Sequence, residues 1–247
     1  MSSFELGGPH TADRCALVTG ASRGIGLEVA TRLAKEGFRL TVSAGHAPDL
    51  ESVAGRLVEQ TGAEINPVIA NLGRENDVLA LAAAHADRFG RLDLLVMAAG
   101  MGNVAQLTEA STRDGWSTGA TTACDLLGTA CLPMLRSTAA LDPRRGSRMV
   151  LVAPADEALQ QVYGAHKDAM VSLCDQVNLT ESASGVTATT ISPGHIDHNM
   201  TMWRRGYVNP DEMVISADLA DVILALTTLT ANAVVPNIVL ARKGQPA

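Results

Sequence analysis

Aromatic residues are scarce: Phe, Trp and Tyr make up 3% of the 247 residues. A core without large rings has to be filled by Ala, Val, Leu and Gly, which suits helices packed closely on a sheet. Cysteine is also sparse. Cys15, Cys124, Cys131 and Cys174 show no CxxC spacing, and in a chain of this size they read as reduced core residues rather than a disulfide framework. Basic residues are in deficit, 19 Lys+Arg against 26 Asp+Glu, for a net charge of −7. That removes any general electrostatic reason to bind nucleic acid, while leaving room for a local basic pocket that takes one phosphate. No run of 18 apolar residues occurs, so no membrane span is expected. The opening MSSFELGGPHTADR lacks the apolar stretch of a signal peptide, and a cytoplasmic location is the expectation.

What is present is a large apolar fraction, 47%, with 18% charged residues and a mean hydropathy of +0.14. Those values fit one globular domain with a sizeable core. Residues 1–13 read as a lead-in and 14–247 as a single domain, with no internal repeat, low-complexity tract or linker. Short apolar runs at 16–18, 40–42, 65–70, 92–97, 149–152, 186–191 and 238–240 alternate with helical patterns. The helices are expected from Ile25 through Phe38, then at 49–60, 75–89, 114–138 (despite Pro133), 163–182 and 217–228. Apolar strands separated by helices predict a doubly wound, Rossmann-like α/β domain with a seven-stranded parallel sheet. Its ligand crevice should lie beyond the carboxyl ends of the strands.

Two motifs fall where that crevice should be. Thr19-Gly20-Ala21-Ser22-Arg23-Gly24-Ile25-Gly26 follows the first strand and opens the first helix. Glycines there permit a tight turn and close backbone approach, and the free N–H groups of a helix start attract a pyrophosphate. Tyr163 and Lys167 are four residues apart and share one face of a helix. A phenol ordinarily titrates near about 10. A neighbouring ammonium favours the phenolate and lowers that value, which suits proton exchange near neutrality.

TGASRGIG, followed by Tyr163-Gly164-Ala165-His166-Lys167 and by Ser192-Pro193-Gly194, resembles the classical short-chain dehydrogenase/reductase family. The resemblance runs from about Arg14 to Leu240, and in general look it is similar to the 3-oxoacyl-acyl-carrier-protein reductase branch. It implies an oxidoreductase that interconverts a carbonyl and an alcohol, with Tyr163 as acid/base and Lys167 as its electrostatic partner and ribose ligand. Thr19, Gly20, Ser22, Arg23, Gly24, Ile25 and Gly26 would hold the cofactor's phosphates. Asn71 would meet its adenine, and Ala98 and Gly100 would bind the cofactor after the fourth strand, where Gly100 allows close backbone approach. Pro193, Gly194 and Ile196 would meet the nicotinamide. Val42-Ser43-Ala44-Gly45-His46 offers no acid to bind a ribose diol, and Arg23 is placed to pair with a 2′-phosphate; both favour NADP(H). His46 is a second candidate for that phosphate.

The catalytic pattern is incomplete. No Ser or Thr occurs from Arg148 through Val162, where the family carries a hydroxyl that polarises the carbonyl. No Asn occurs between Val104 and Val177, where the family supports a relay water; Asp125 is the best-placed substitute. The usual NNAG reads Met97-Ala98-Ala99-Gly100, and the Thr usual after Pro-Gly is His198. His195 and His198 make no convincing metal site. Slow turnover is therefore expected. The alternative is an NADP(H)-binding pseudoenzyme, sensor or partner subunit, and a dehydratase or isomerase ranks last. Met200, Met202, Trp203 and Tyr207 would belong to a substrate lid. The resemblance also implies a homodimer or homotetramer built on the helices around 114–138 and 163–182.

Overall fold

The computed structural model describes residues 13–99, 113–153, 160–193, 213–241 and 243, with backbone alone at 113–122 and 160–166. Strands β1 (Cys15–Thr19), β2 (Arg39–Ala44), β3 (Ile65–Ile69), β4 (Leu94–Met97), β5 (Ser147–Val152), β6 (Val186–Pro193) and β7 (Asn237–Leu240) form one sheet. Between them run α1 (Gly24–Lys35), α2 (Ala47–Thr61), α3 (Glu75–Phe89), α4 (Arg113–Leu141), α5 (Gln160–Glu181) and α6 (Ser216–Leu226). Every pairing is parallel, in the order β3-β2-β1-β4-β5-β6-β7. The winding direction reverses between β1 and β4, which opens a crevice at their carboxyl ends.

Side-chain alternation along the strands divides the core in two. Ala16 and Val18 of β1 pack with Val29 of α1, Leu57 of α2 and Ile223 of α6. Leu17 between them faces the other way, toward Leu81 of α3, Leu135 of α4 and Met170 of α5. Each fully buried leucine contributes about 1.5–3 kcal/mol, so both faces hold their helices firmly without large aromatic side chains.

Phe38 departs from the helical pattern read in the sequence. α1 stops at Lys35, and Gly37 takes the left-handed conformation at φ 81°. The Gly37 N–H then donates to Ala34 O and the Phe38 N–H to Leu33 O, both at 3.0 Å. This Schellman arrangement satisfies the last carbonyls and folds Phe38 back into the core beyond the helix. α4 continues through Pro133. β4 begins at Leu94 rather than Leu92, because the Asp93 carboxylate accepts the Cys15 N–H at 2.8 Å and both Arg91 nitrogens at 2.7 and 2.8 Å.

The amino-terminal end of the sheet is closed by buried polar groups with partners. Arg148, at the start of β5, donates to Thr187 Oγ1 and to the carbonyls of Leu229, Thr230 and Ala233 at 2.9–3.3 Å. His85 of α3 lies between Thr41 Oγ1 at 2.7 Å and Arg91 O at 3.0 Å. Burial holds the His85 imidazole below its ordinary range, which favours the neutral ring.

Candidate active site

The carboxyl end of β1 leads into a loop that admits only glycine at two points. Gly20 sits at φ 69°, and a Cβ there would lie 2.8 Å from Ala98 O and Ala99 Cα. A Cβ on Gly26 would strike the Gly20 carbonyl and reach 2.7 Å from the Gly20 carbonyl carbon. The loop is thus pressed between the end of β4 and the first turn of α1. Ala21 N–H donates to Ser43 O at 3.0 Å, tying the loop to β2, and Thr19 Oγ1 accepts the Ala99 N–H at 3.3 Å.

This packing leaves the start of α1 open. Arg23 occupies its N-cap position without a side-chain cap, and no acidic residue lies in the first turn. By contrast α2, α3 and α6 each carry an acid in their first turn. The unpaired N–H groups and the positive end of the helix dipole therefore face the crevice, with the exposed Arg23 beside them. Ser22 and Ile25 flank this start half-buried, and Gly24 is exposed. A pyrophosphate fits this chemistry: a backbone cradle that side chains would fill, donors without partners and one cation.

At the next strand ends the structure adds two details absent from the motifs. The end of β2 itself carries no carboxylate, but Asp49, in the first turn of α2, approaches His46 Nδ1 with Oδ2 at 3.3 Å. Asn71, beyond β3, is exposed and already turns its Oδ1 to the Gly73 N–H at 2.9 Å, while its own N–H donates to Asp77. Its amide N–H₂ group is what the fold leaves for a ligand. Ala98 is half-buried after β4, and Ala153 is fully buried after β5, its N–H donating to Ile191 O at 2.9 Å. Pro193 closes β6.

The strands β1, β4 and β5 are neighbours, so Gly20, Ala98 and Ala153 line successive strand ends. α5 carries both Tyr163 and Lys167, and Lys167 is half-buried. Asp125 lies on an exposed position of α4. Behind the site Cys124 of α4 and Cys174 of α5 are pushed up to about 12 and about 11 by burial, so neither thiol is a nucleophile. Gly100, Pro154, Gly194, His195, Ile196, His198 and the lid residues lie outside the described residues, as does the Tyr163 side chain. Among the described residues no group of three His, Cys, Asp or Glu is placed to hold a metal, and no helix is long and apolar enough to cross a membrane.

Sheet order, switch point and glycine cradle define a doubly wound α/β protein whose first helix starts uncapped at the crevice. The model of the short chain dehydrogenase family matches residues 14–206, and the chain belongs to that family. It is 32% identical over 198 residues to 2-(R)-hydroxypropyl-CoM dehydrogenase of Xanthobacter autotrophicus, a match covering 77% of this chain and 78% of that one. With 11-beta-hydroxysteroid dehydrogenase A of Sesamum indicum the identity is 27% over 222 residues, 88% of this chain but 62% of the plant protein, less than two thirds of its length. Among solved structures, the Pseudomonas aeruginosa RhlG/NADP active-site complex superposes with a TM-score of 0.80 at 25% identity, over 96% of this chain and 98% of the other.

Proposed function

We propose that the protein is an NADP(H)-dependent oxidoreductase that interconverts a small-molecule carbonyl and its alcohol. The observation that carries this reading is the open, uncapped start of α1 with Arg23 exposed beside it. When bound, the nicotinamide supplies or accepts the hydride. Gly20, Gly24 and Gly26, with Thr19, Ser22 and Ile25 around them, hold the pyrophosphate, and Arg23 meets the 2′-phosphate. Asn71 offers its amide to the adenine, and Ala98 and Gly100 let backbone approach the dinucleotide. Pro193, Gly194 and Ile196 present backbone to the nicotinamide end. Lys167 orients the ribose and favours the Tyr163 phenolate, and Tyr163 gives a proton to the carbonyl oxygen or takes it back from the alcohol. RhlG, seen in complex with NADP, is in keeping with the cofactor assignment.

Arg23→Ala tests the cofactor half. Charge-assisted hydrogen bonds contribute about 1.5–3 kcal/mol, so NADPH affinity should fall about tenfold or more while NADH affinity stays. Equal losses for the two cofactors in a titration reject the role. Tyr163→Phe tests the chemistry: assayed with NADPH over a broad carbonyl panel, it should remove most turnover, and undiminished activity overturns Tyr163 as the acid.

A second reading, cofactor binding without turnover, is favoured by the buried Ala153 where a hydroxyl would be useful. Normal NADPH binding with no turnover by the unmodified protein selects it. A homodimer or homotetramer belongs to the leading proposal, supported by the exposure of Leu141 on α4 at 70% and Leu179 on α5 at 81%. So does a cytoplasmic setting, which the four free cysteines suit.

A further inference from the structure

Asn71 stands just beyond β3 with all but one of its polar groups already engaged. Its N–H donates to Asp77 Oδ2 at 3.0 Å, its carbonyl accepts the Arg74 N–H at 2.9 Å, and its Oδ1 accepts the Gly73 N–H at 2.9 Å. The last bond fixes how the amide is turned. A backbone N–H can only donate, so it must face the oxygen of the amide and not the nitrogen. The exposed side chain is therefore left with its Nδ2 donors, while Oδ1 is turned back onto its own loop.

Ala70 N–H donates to Ala44 O at 3.1 Å, so Asn71 leaves the carboxyl end of β3 beside the carboxyl end of β2. That is the end of the sheet at which α1 starts. β3, β2 and β1 are consecutive strands, and two strand spacings come to roughly 10 Å. Between the glycine loop and Asn71 the strand ends carry only small residues, Ala44, Gly45 and the buried Ala70. A dinucleotide with its pyrophosphate at the start of α1 thus has room to run its adenosine across the end of β2 toward Asn71.

Resting on the cofactor reading above, we propose that Asn71 reads the purine as a hydrogen-bond donor, so that the site takes a 6-oxopurine base at least as well as adenine. A carboxylate at this position would accept from the amino group at C6 of adenine. The fixed Nδ2 of Asn71 cannot, because that amino group is itself a donor, and two donors face to face leave both without a partner. Adenine then offers Asn71 only its ring N1. Hypoxanthine has an oxygen at C6, and Nδ2–H donates to it directly. The two bases have nearly the same outline, so what Asn71 distinguishes is the direction of the hydrogen bond and not the space available.

The test measures Kd by nicotinamide fluorescence for NADPH and for its hypoxanthine analogue, with the unmodified protein, Asn71→Asp and Asn71→Ala. It needs no turnover, and the ratio of two Kd values for one protein is insensitive to a partial loss of fold. The unmodified protein should bind the analogue as tightly as NADPH or up to about tenfold more tightly, the range one hydrogen bond supplies. Asn71→Asp keeps the turn, since a carboxylate oxygen also accepts the Gly73 N–H, and it offers the base an acceptor. It should move the ratio about tenfold or more toward NADPH, as a charge-assisted bond does. Asn71→Ala should bring the ratio near one. A preference for NADPH in the unmodified protein overturns the assignment while leaving the cofactor reading intact, because the amide must then give up Gly73 to offer its oxygen. A ratio that is the same in all three proteins also overturns it, showing that Asn71 does not meet the base. Binding of neither dinucleotide removes the cofactor reading and this inference together.

Discussion

The two ends of the sheet are built on opposite rules. At the amino-terminal end, buried polar groups are matched almost bond for bond: Asp93 with Cys15 N–H and Arg91, Arg148 with one hydroxyl and three carbonyls, the neutral His85 with Thr41 and Arg91 O. At the carboxyl-terminal end, groups are left wanting: the uncapped α1 start, the exposed Arg23, the unpartnered Ser192. The difference teaches where stability is spent and where it is withheld. The end proposed to meet a ligand keeps donors free, while the opposite end pairs most of its buried groups, the Arg39 Nε at the start of β2 being left without a partner among the described residues.

Breaking the closed end should produce the largest effect. Asp93→Ala leaves Arg14 and the Cys15 N–H buried without their carboxylate, where the Asp93 side chain is 2% exposed. Removing one partner of a buried pair costs about 3–5 kcal/mol. Urea unfolding should register that loss, with NADPH affinity unchanged in whatever fraction remains folded. A loss under about 1 kcal/mol, the usual worth of a surface pair, means the network is not a stability device.

Damage at the open end should be smaller in stability and larger in binding. Gly26→Ala drives a methyl into the Gly20 backbone, and overpacking costs about 1–3 kcal/mol. The displaced loop should weaken NADPH more than it lowers Tm. A variant that binds NADPH normally would show that the loop can shift without losing its donors.

The smallest effect is expected where the ends meet solvent. Arg136 of α4 donates to both Glu181 oxygens at 2.6 and 2.7 Å and is itself 49% exposed. The guanidinium holds the Glu181 carboxyl below its usual range. The contribution is therefore complete above the unfolded carboxylate value of about 4.3, and fades as pH falls through the lower folded value. Glu181→Gln should flatten that part of an acid-unfolding curve slightly and leave stability nearly unchanged once the pH is below the folded value. An equal loss at all pH values would assign the contact to packing rather than charge.

Much of the open end was legible because its function is written locally. A glycine loop between a strand and a helix, or Tyr163 and Lys167 one turn apart, needs only neighbours in the chain to be read. The seven strands were legible for a related reason: strands buried on both faces leave continuous apolar runs such as Ala16-Leu17-Val18. The closed end was not, because its partners are distant. Asp93 meets Cys15 across 78 positions, and nothing in Leu92-Asp93-Leu94 marks the acid as buried and paired. Phe38 looked helical because a Schellman turn returns it to the same core that the helix faces. Asp49 was overlooked because it lies five residues past the strand end, on a helical turn that brings it back to His46. The missing partner of the buried Ser192 hydroxyl has no sequence signature.

Arg148 also carries a consequence for the order in which the molecule is made. Its carbonyl partners lie 81 to 85 residues downstream. While the chain is being synthesised, β1 to β5 can emerge and pair long before Leu229–Ala233 exist. Through that interval the guanidinium has no carbonyls to receive it and must stay hydrated, which holds the start of β5 open to water. A stretch made 81 to 85 residues later is then what dries this end of the sheet, so the strand is closed by polypeptide that follows it at a distance.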